Sequence, residues 1–255
     1  MSFFSIFRSF DGVAAARNKP KREFADFFEK KIANPVIFKY NRCGTAEFHS
    51  GVTGMKSKEQ IVSSIRAEHL IVIVRGEETE LMGILQQEQA SDALYVLPGS
   101  HSKLIDVDKA GRITSFCTAM TGELFAAVSR HTILKSAVDP QEAQIDEAEL
   151  CRGYGVCSRL GLNRTLFAVR MKRNYFGGSD PGCYSYLLGA ILCGEIGQII
   201  ASEKQTVILG GQKQLREATA ALLRNRSAKN IVLLPDPVVG QTTVRGAIRI
   251  FETER

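Results

Sequence analysis

Several common sequence signals are missing from this chain of 255 residues. None of its six cysteines belongs to a Cys-x-x-Cys pair, and Cys151 and Cys157 have no histidine nearby. Structural zinc sites need closely spaced cysteine and histidine ligands, so we interpret the cysteines as buried free thiols instead. No internal repeat or segment dominated by one residue type is visible, which excludes solenoid and low-complexity proteins.

Signals for secretion or membrane insertion are missing as well. The N-terminal MSFFSIFRSFDG has only a short, interrupted apolar run, unlike a secretory signal. The longest apolar stretch, residues 183–202, is interrupted by Glu195 and contains three glycines, which favours a buried helix over a membrane span. We therefore expect a cytoplasmic protein with no membrane partner.

The net charge of +6 and the pI near 9.0 favour an anionic ligand. Outside a basic start and a cluster at 164–173, however, the positive charge is spread along the chain. A nucleic-acid-binding protein usually concentrates it, and this chain has neither a zinc-finger spacing nor an aromatic RNA-binding signature. We expect a small anionic ligand and no nucleic acid. The sequence is compatible with a homo-oligomer and does not determine the oligomeric state.

The pattern of the first ninety residues indicates an α/β protein. Apolar residues recur at helical spacing over 21–32, and 57–66 reads as a polar helix. PVIFKY (35–40) and LIVIV (70–74) read as strands, the second as a β-branched run typical of buried parallel strands. Alternating helices and strands imply α/β layers, and the length favours two compact lobes.

Two acidic residues follow the second of these strands. Gly76 permits a turn, after which helical spacing places Glu77 and Glu78 in the first helical turn. Ligand-facing groups in α/β proteins tend to lie beyond the carboxyl ends of strands. The alternative is that both carboxylates only complement the helix dipole.

The segment YVLPGSHSKLIDVDKAGRI (95–113) predicts a hairpin whose polar loop suits an anion. The loop would offer backbone N–H groups, two hydroxyls, an imidazole and an ammonium from Gly99, Ser100, His101, Ser102 and Lys103. Phosphate is the obvious ligand, with Lys103 as the stronger electrostatic candidate. His101 is equally readable as a surface residue or a local hydrogen-bond partner.

Downstream, a strand at 113–120 precedes a helix that begins at Thr121, with Glu123 in its first turn. The acidic 138–150 reads as a solvated connection or a short surface helix, and helices follow at 158–175 and 184–200. A strand then ends in Gly210 and Gly211 before another amphipathic helix, and NIVLLPDPVV (230–239) predicts a last strand closed by prolines. A glycine pair admits a flat or charged ligand, although tight turns also use glycine for packing alone.

Three of these segments, VRGEETELMGIL (74–85), YVLPGSHSKLIDVDKAGRI (95–113) and TAMTGELFAAVSRHTIL (118–134), closely resemble the 2-dehydro-3-deoxygalactonokinase family. SYLLGAILCGEI (185–196) and VILGG (207–211) resemble its later segments. The family belongs to the actin/hexokinase-like ATPases. The resemblance implies two ribonuclease H-like lobes with an interlobe cleft, which we place at 1–92 and 93–255.

The resemblance also implies a function. The family transfers the γ-phosphoryl group of ATP, with Mg²⁺, to the terminal hydroxyl of 2-dehydro-3-deoxy-D-galactonate, a step of D-galactonate degradation. The loop Gly99 to Lys103 is similar to the superfamily's second phosphate-binding turn. Glu78 is similar in placement to the general base, with Glu77 as the competing residue. Gly210 and Gly211 resemble the adenosine-side glycines. Thr121, Gly122 and Glu123 would lie near the nucleotide or metal, unless Thr121 is an ordinary helix cap.

The chain departs from the family near its N-terminus. No Asp-x-Gly-Thr phosphate turn precedes the first helix, since Asp11 and Gly12 are not followed by Gly-Thr or Gly-Ser. The substrate-side segment is matched only loosely by NRCGTAEFHSGVTGMKSKE (41–59). The departure predicts an incomplete N-terminal lobe. It also supports an alternative function, a non-catalytic, shortened relative that binds nucleotide or sugar acid without turnover.

Overall fold

The computed structural model describes residues 36–40, 46–49, 71–74, 77–88, 92–142 and 144–253. The helices predicted at 21–32 and 57–66 lie outside these residues, as does most of segment 41–59. The chain divides into a first unit of residues 1–92, 107–115 and 235–255 and a second unit of 93–106 and 116–234. Sequence reasoning had assigned 235–255 to the C-terminal lobe. The α/β class is confirmed, and the two ribonuclease H-like lobes stay a prediction.

The first unit contains a three-stranded sheet. Its strands are β1 (Val36–Tyr40), β2 (Ala46–His49) and β3 (Ile71–Val74), in the order β2-β1-β3. Both neighbours of β1 run antiparallel to it, with Phe38 opposite Phe48 on one side and Val72 on the other. The strands expected at 35–40 and 70–74 are confirmed, but the parallel pairing suggested for the second is wrong. A continuous apolar run indicates that both faces of a strand are buried, but it does not indicate whether the neighbouring strands are parallel or antiparallel.

This unit also contains two helices, α1 (Glu77–Glu88) and α7 (Asp236–Thr253). A Cβ on Gly83 of α1 would overlap the Thr242 backbone, and one on Gly246 of α7 would overlap the Thr79 carbonyl. The two helix backbones are therefore in direct contact. Helix α7 was not predicted, because the prolines at 235 and 237 read as the end of a strand. Proline is tolerated in a first helical turn, where its missing N–H needs no partner.

The second unit is built on a five-stranded sheet of β4 (Ala93–Leu97), β5 (Ser102–Val107), β6 (Ile113–Ala119), β7 (Thr206–Leu209) and β8 (Asn230–Leu233). The strand order is β6-β5-β4-β7-β8, with β4, β7 and β8 parallel. The connections β4–β5 and β5–β6 are too short for a parallel crossover, so these neighbours are antiparallel. All five residues of central strand β4 are buried. The predicted hairpin is confirmed, and so is the strand expected at 113–120. The strands expected within 206–211 and 230–239 are confirmed over 206–209 and 230–233.

Five helices of this unit are α2 (Thr121–His131), α3 (Glu147–Leu160), α4 (Leu162–Tyr175), α5 (Asp180–Ala201) and α6 (Lys213–Arg224), with a 3-10 turn at Ile133–Ser136. The single helix predicted over 158–175 is wrong: the chain breaks at Gly161, whose φ of 79° suits glycine. Helix α3 begins inside 138–150, the segment predicted as a connection or a short surface helix, because the Asp146 side chain caps it by accepting from the Glu149 amide at 3.0 Å.

Helix α5 is the buried core helix that its sequence predicted. Among the described residues it alone is long and apolar enough to cross a membrane, but most of it is buried in the unit, as core helices are. It packs tightly on α3: a Cβ on Gly189 would overlap the Leu150 carbonyl, and one on Gly153 would overlap that of Tyr186. This close approach sets the position of α5 along α3. Helix α5 carries Glu195, whose carboxylate contacts Thr121.

The thiols agree in part with the sequence interpretation. The five cysteines in the described residues are free, with Cys157 and Cys183 buried and the other three partly buried. Burial, together with a contact from Cys157, raises the pKa of Cys193 to about 11. The Cys193 thiol is therefore protonated at neutral pH and behaves as a small apolar side chain.

Candidate functional site

Three segments of the second unit meet beside Pro98, beyond the carboxyl ends of the parallel strands β4 and β7. They are the hairpin loop 98–101, the first turn of α2 and the turn 210–212. The Gly210 amide donates to the Val96 carbonyl at 3.0 Å, and the Gln212 amide donates to the Pro98 carbonyl at 2.7 Å. This edge of a parallel sheet is where α/β proteins bind ligands.

Gly211 is required by its surroundings. Its φ is 71°, and a Cβ at this position would overlap the Pro98 carbonyl oxygen. Gly210 is buried, and its amide donates to the carbonyl of Val96, whose ladder partner is the preceding Leu209. The packing role considered for the glycine pair is therefore present, and its adenosine-binding role stays a prediction.

The first turn of α2 is bound to the hairpin loop. The Gly122 amide donates to the Gly99 carbonyl at 3.1 Å, and the Glu123 amide donates to the Ser100 carbonyl at 3.0 Å. A Cβ on Gly122 would lie 2.7 Å from the Gly99 oxygen, so only glycine permits this approach. Amides at a helix N-terminus have no partner within the helix, and here the loop supplies one.

His101 and Glu123 add a side-chain contact across the same junction. The His101 Nε2 atom hydrogen-bonds the Glu123 carboxylate, and both side chains are about half exposed. His101 is thus a local hydrogen-bond partner, one of the two interpretations that its sequence left open. Its predicted contact with phosphate stays a prediction.

Ser102 and Lys103 do not lie in the loop, and this part of the prediction is wrong. They are the first residues of β5, with 0% and 3% of their surface exposed. The Lys103 Nζ atom nevertheless reaches back and donates to the His101 carbonyl at 3.1 Å. A lysine can bury its long stem while its ammonium reaches a polar group, so the charge lies beneath the loop backbone.

Thr121 is not a helix cap. Met120 holds the cap position without a side-chain hydrogen bond, and the Thr121 hydroxyl donates to the Glu195 carboxylate. Glu195 is 7% exposed, and its burial raises the pKa of the carboxyl, although hydrogen bonding from Thr121 and Ser102 acts in the opposite direction. The Ser102 hydroxyl is close enough to favour the ionised form, yet its geometry falls short of a formed hydrogen bond.

Sequence reasoning missed two residues of this site. Glu195 was read only as an interruption of an apolar stretch. A single acidic residue inside a core helix is itself a signal, because buried charge is costly unless it is hydrogen-bonded. Arg216 of α6 is 2% exposed, and its guanidinium donates to the Gly211 carbonyl at 3.0 Å. The corresponding signal was an arginine directly beside Leu215, which belongs to the predicted apolar face of that helix.

The acidic candidates of the first unit are placed by backbone alone. Helix α1 begins at Glu77, so Glu77 and Glu78 lie in its first turn, as predicted. Their choice as general base stays a prediction. Within the part of the chain that the structure describes, no group of three His, Cys, Asp or Glu side chains is placed to hold a metal ion.

Comparison with known proteins gives one consistent family. The family model described as 2-keto-3-deoxy-galactonokinase matches residues 41–249. A candidate 2-dehydro-3-deoxygalactonokinase of Rhizobium meliloti (strain 1021) is 34% identical over 134 residues, which are 51% of this chain and 43% of that protein. The 2-dehydro-3-deoxygalactonokinase of Escherichia coli (strain K12) is 39% identical over 100 residues, 38% of this chain and 32% of that protein.

A solved structure agrees with these matches. The crystal structure of a candidate 2-dehydro-3-deoxygalactonokinase from Sinorhizobium meliloti is 26% identical, with a TM-score of 0.61 over 71% of this chain and 61% of that one. The alignments thus span less than half the length of the two curated relatives. The family match covers most of the chain, and the chain belongs to the 2-keto-3-deoxy-galactonokinase family.

Proposed function

We propose that this protein is an ATP-dependent kinase that phosphorylates the terminal hydroxyl of 2-dehydro-3-deoxy-D-galactonate. Membership of the family supports the reaction class and the sugar-acid substrate. The observation that carries the proposal is the meeting, beside Pro98, of the hairpin loop, the first turn of α2 and the glycine turn. The resemblance placed the hairpin loop at the phosphates, the glycine turn at the adenosine, and the first turn of α2 near the nucleotide or metal.

In this proposal the hairpin loop receives the β- and γ-phosphates. Ser100 and His101 are exposed on the loop, and the Lys103 ammonium lies behind its backbone, 3.1 Å from the His101 carbonyl. Phosphoryl transfer needs mainly positioning and stabilisation of negative charge, and a desolvated cation is stronger in this role than one in water. Gly210 and Gly211 would lie on the adenosine side.

The acceptor hydroxyl requires a base, for which we propose Glu78, with Glu77 as the alternative. A carboxylate within hydrogen-bond reach can accept the proton as the oxygen attacks phosphorus. The donors around the loop suit a polyphosphate. Mg²⁺ bound with ATP would neutralise phosphate charge, and it commonly binds through substrate phosphates and water with few protein ligands.

The test is ADP formation by the purified chain with ATP, Mg²⁺ and 2-dehydro-3-deoxygalactonate. We expect turnover, at least 100-fold slower after Glu78→Gln if Glu78 is the base, with Glu77→Gln as its neighbouring comparison. Lys103→Met keeps most of the buried stem and removes the charge, and we expect it to lose activity. Lys135→Met, at an exposed position of the 3-10 turn, is the matched control and should remain active.

Two results would overturn the proposal in different ways. Stabilisation of the protein by ATP without ADP release would indicate the non-catalytic relative considered from the sequence. Undiminished turnover in a folded Lys103→Met variant would remove the hairpin loop from the phosphate site, whatever the activity of the wild type.

A further inference from the structure

We propose that Glu195, which the sequence did not place in any site, is a positioning residue for the nucleotide loop. Its carboxylate accepts a hydrogen bond from the first residue of α2 and lies beside the first residue of β5, and both of these segments adjoin loop 98–101. The inference rests on the proposed function only in naming the triphosphate as the ligand of that loop.

The first link runs from α5 to α2. Thr121 is 2% exposed, and its hydroxyl donates to the Glu195 carboxylate. The next two amides of α2, those of Gly122 and Glu123, donate to the Gly99 and Ser100 carbonyls. Because consecutive residues of one helical turn make these contacts, a displacement of Thr121 moves both donors away from the loop.

The second link runs from α5 to β5. The Ser102 hydroxyl is completely buried and forms no hydrogen bond to the described residues, yet it lies beside the Glu195 carboxylate. A buried hydroxyl without a hydrogen-bond partner lowers the stability of the folded state. A carboxylate that can accept from the Ser102 hydroxyl would remove this cost. Ser102 directly follows the loop, and Lys103 comes next.

The surroundings of Glu195 fit a positioning role. Its side chain is 7% exposed, and its carboxylate is engaged by Thr121 and lies beside Ser102. A buried carboxylate costs more than an apolar side chain of similar volume. What it adds is a pair of acceptor oxygens that can engage α2 and β5 at once.

The test uses matched valine substitutions in the full chain. Thr121→Val removes the donated hydrogen bond and keeps the shape of the side chain. Thr165→Val is the control, because Thr165 is 0% exposed and its hydroxyl bonds only the Gly161 carbonyl within α4. Glu195→Leu removes both acceptors, and Glu195→Gln keeps one for Thr121.

Two readouts are measured: the KM for ATP against that for the sugar acid, and hydrogen exchange of the Gly122 and Glu123 amides without ligand. We expect Thr121→Val and Glu195→Leu to raise the KM for ATP about tenfold or more, the effect of losing a charge-assisted hydrogen bond. The KM for the sugar acid should change less than about twofold. The two amides should exchange about tenfold faster, and Thr165→Val should change neither readout. Glu195→Gln should remain within about threefold of the wild type.

The outcomes separate this inference from the proposed function. If the wild type forms no ADP, the proposed function fails, and the amide exchange still decides whether Glu195 holds the loop. Faster exchange with an unchanged KM for ATP would overturn the role in nucleotide binding. Unchanged exchange in folded Thr121→Val would overturn the positioning itself. If Glu195→Leu does not fold, Thr121→Val and its control decide alone, and Glu195→Gln as impaired as Thr121→Val would also contradict the mechanism.

Discussion

Gly211 and Pro98 are in backbone contact. A Cβ on Gly211 would overlap the Pro98 carbonyl oxygen, which already accepts the amide of Gln212 at 2.7 Å. The turn after β7 is thereby packed against and hydrogen-bonded to the end of β4. These contacts hold Pro98, the residue at which the hairpin loop begins.

Gly211→Ala is expected to destabilise the protein by about 2 kcal/mol or more, because a φ of 71° is strained for alanine and the overlap adds to the strain. Gly155→Ala is the control, since a Cβ on Gly155 of α3 would meet nothing within 4 Å. It should be neutral or stabilising by up to about 1 kcal/mol. Urea denaturation measures both, and equal stability of the two variants would contradict the fastened turn.

Gly189→Ala should separate α3 from α5, because its Cβ would overlap the Leu150 carbonyl at the closest approach of the two helices. We expect a loss of about 2–3 kcal/mol, the usual range for overpacking. Gly194→Ala lies in the same helix with open space around it and should not destabilise. The comparison is made by thermal unfolding. A Gly189→Ala protein as stable as Gly194→Ala would show that the helices can move apart without cost.

The pH dependence of stability should depend on Glu195. Burial raises the pKa of its carboxyl in the folded state above the ordinary value of 4.5. Between these two values the unfolded state binds fewer protons, so this group's contribution to stability falls as the pH rises through that window. Below this pH window Glu195 is protonated in both states and does not change the free energy of unfolding. Above the window it lowers that free energy by a constant amount. Glu195→Gln should therefore gain in melting temperature relative to wild type as the pH rises from 4 towards 8.

Glu217→Gln, at an exposed position of α6, is the control for that titration. Its difference from wild type should stay constant over the same pH range. A constant difference for Glu195→Gln as well would mean that Glu195 has no raised pKa in the folded protein.

Two side-chain contacts of glutamates in the second unit should differ in their effect on stability. The carboxylate of Glu149 contacts the Lys172 ammonium at 2.8 Å, with 13% and 18% of the side chains exposed. Glu149→Gln leaves a mostly buried ammonium without its countercharge, so we expect a loss of about 2–3 kcal/mol. Glu123→Gln changes a side chain that hydrogen-bonds His101 where both are about half exposed, so it should cost less than about 1 kcal/mol. Urea denaturation gives both values, and the reverse order would contradict this reasoning.

The sequence predicted the elements of the second unit well where burial is periodic. Leu215, Ala218, Leu222 and Leu223 were assigned to one apolar face, and all four are buried. Local patterns were less informative at boundaries. Gly161 divides a continuous helical pattern, and the prolines at 235 and 237 concealed the start of α7. Glycine and proline occur both where an element ends and where the next one begins, so the residue type alone does not tell the two apart.

The site was predicted by segment and only partly by side chain. The loop, the first turn of α2 and the glycine turn were all identified, but Lys103 and Ser102 were placed in the loop although they begin a strand. Thr121 was assigned locally, as a cap, because its partner Glu195 lies 74 residues away. Hydrogen bonds between distant segments leave no periodic signal, so only the folded chain brings such pairs together.

The contact between α1 and α7 has a consequence for biosynthesis. Gly83 and Gly246 are covered by the opposite helix, and α7 is translated after the whole second unit. Helix α1 is therefore translated long before this partner, and its residues Leu81 and Ile84 are fully buried in the folded chain. The second unit, synthesised in between, can fold during translation, whereas the first unit stays incomplete until α7 has been made. A nascent chain stalled before residue 236 would expose an apolar helix surface to chaperones.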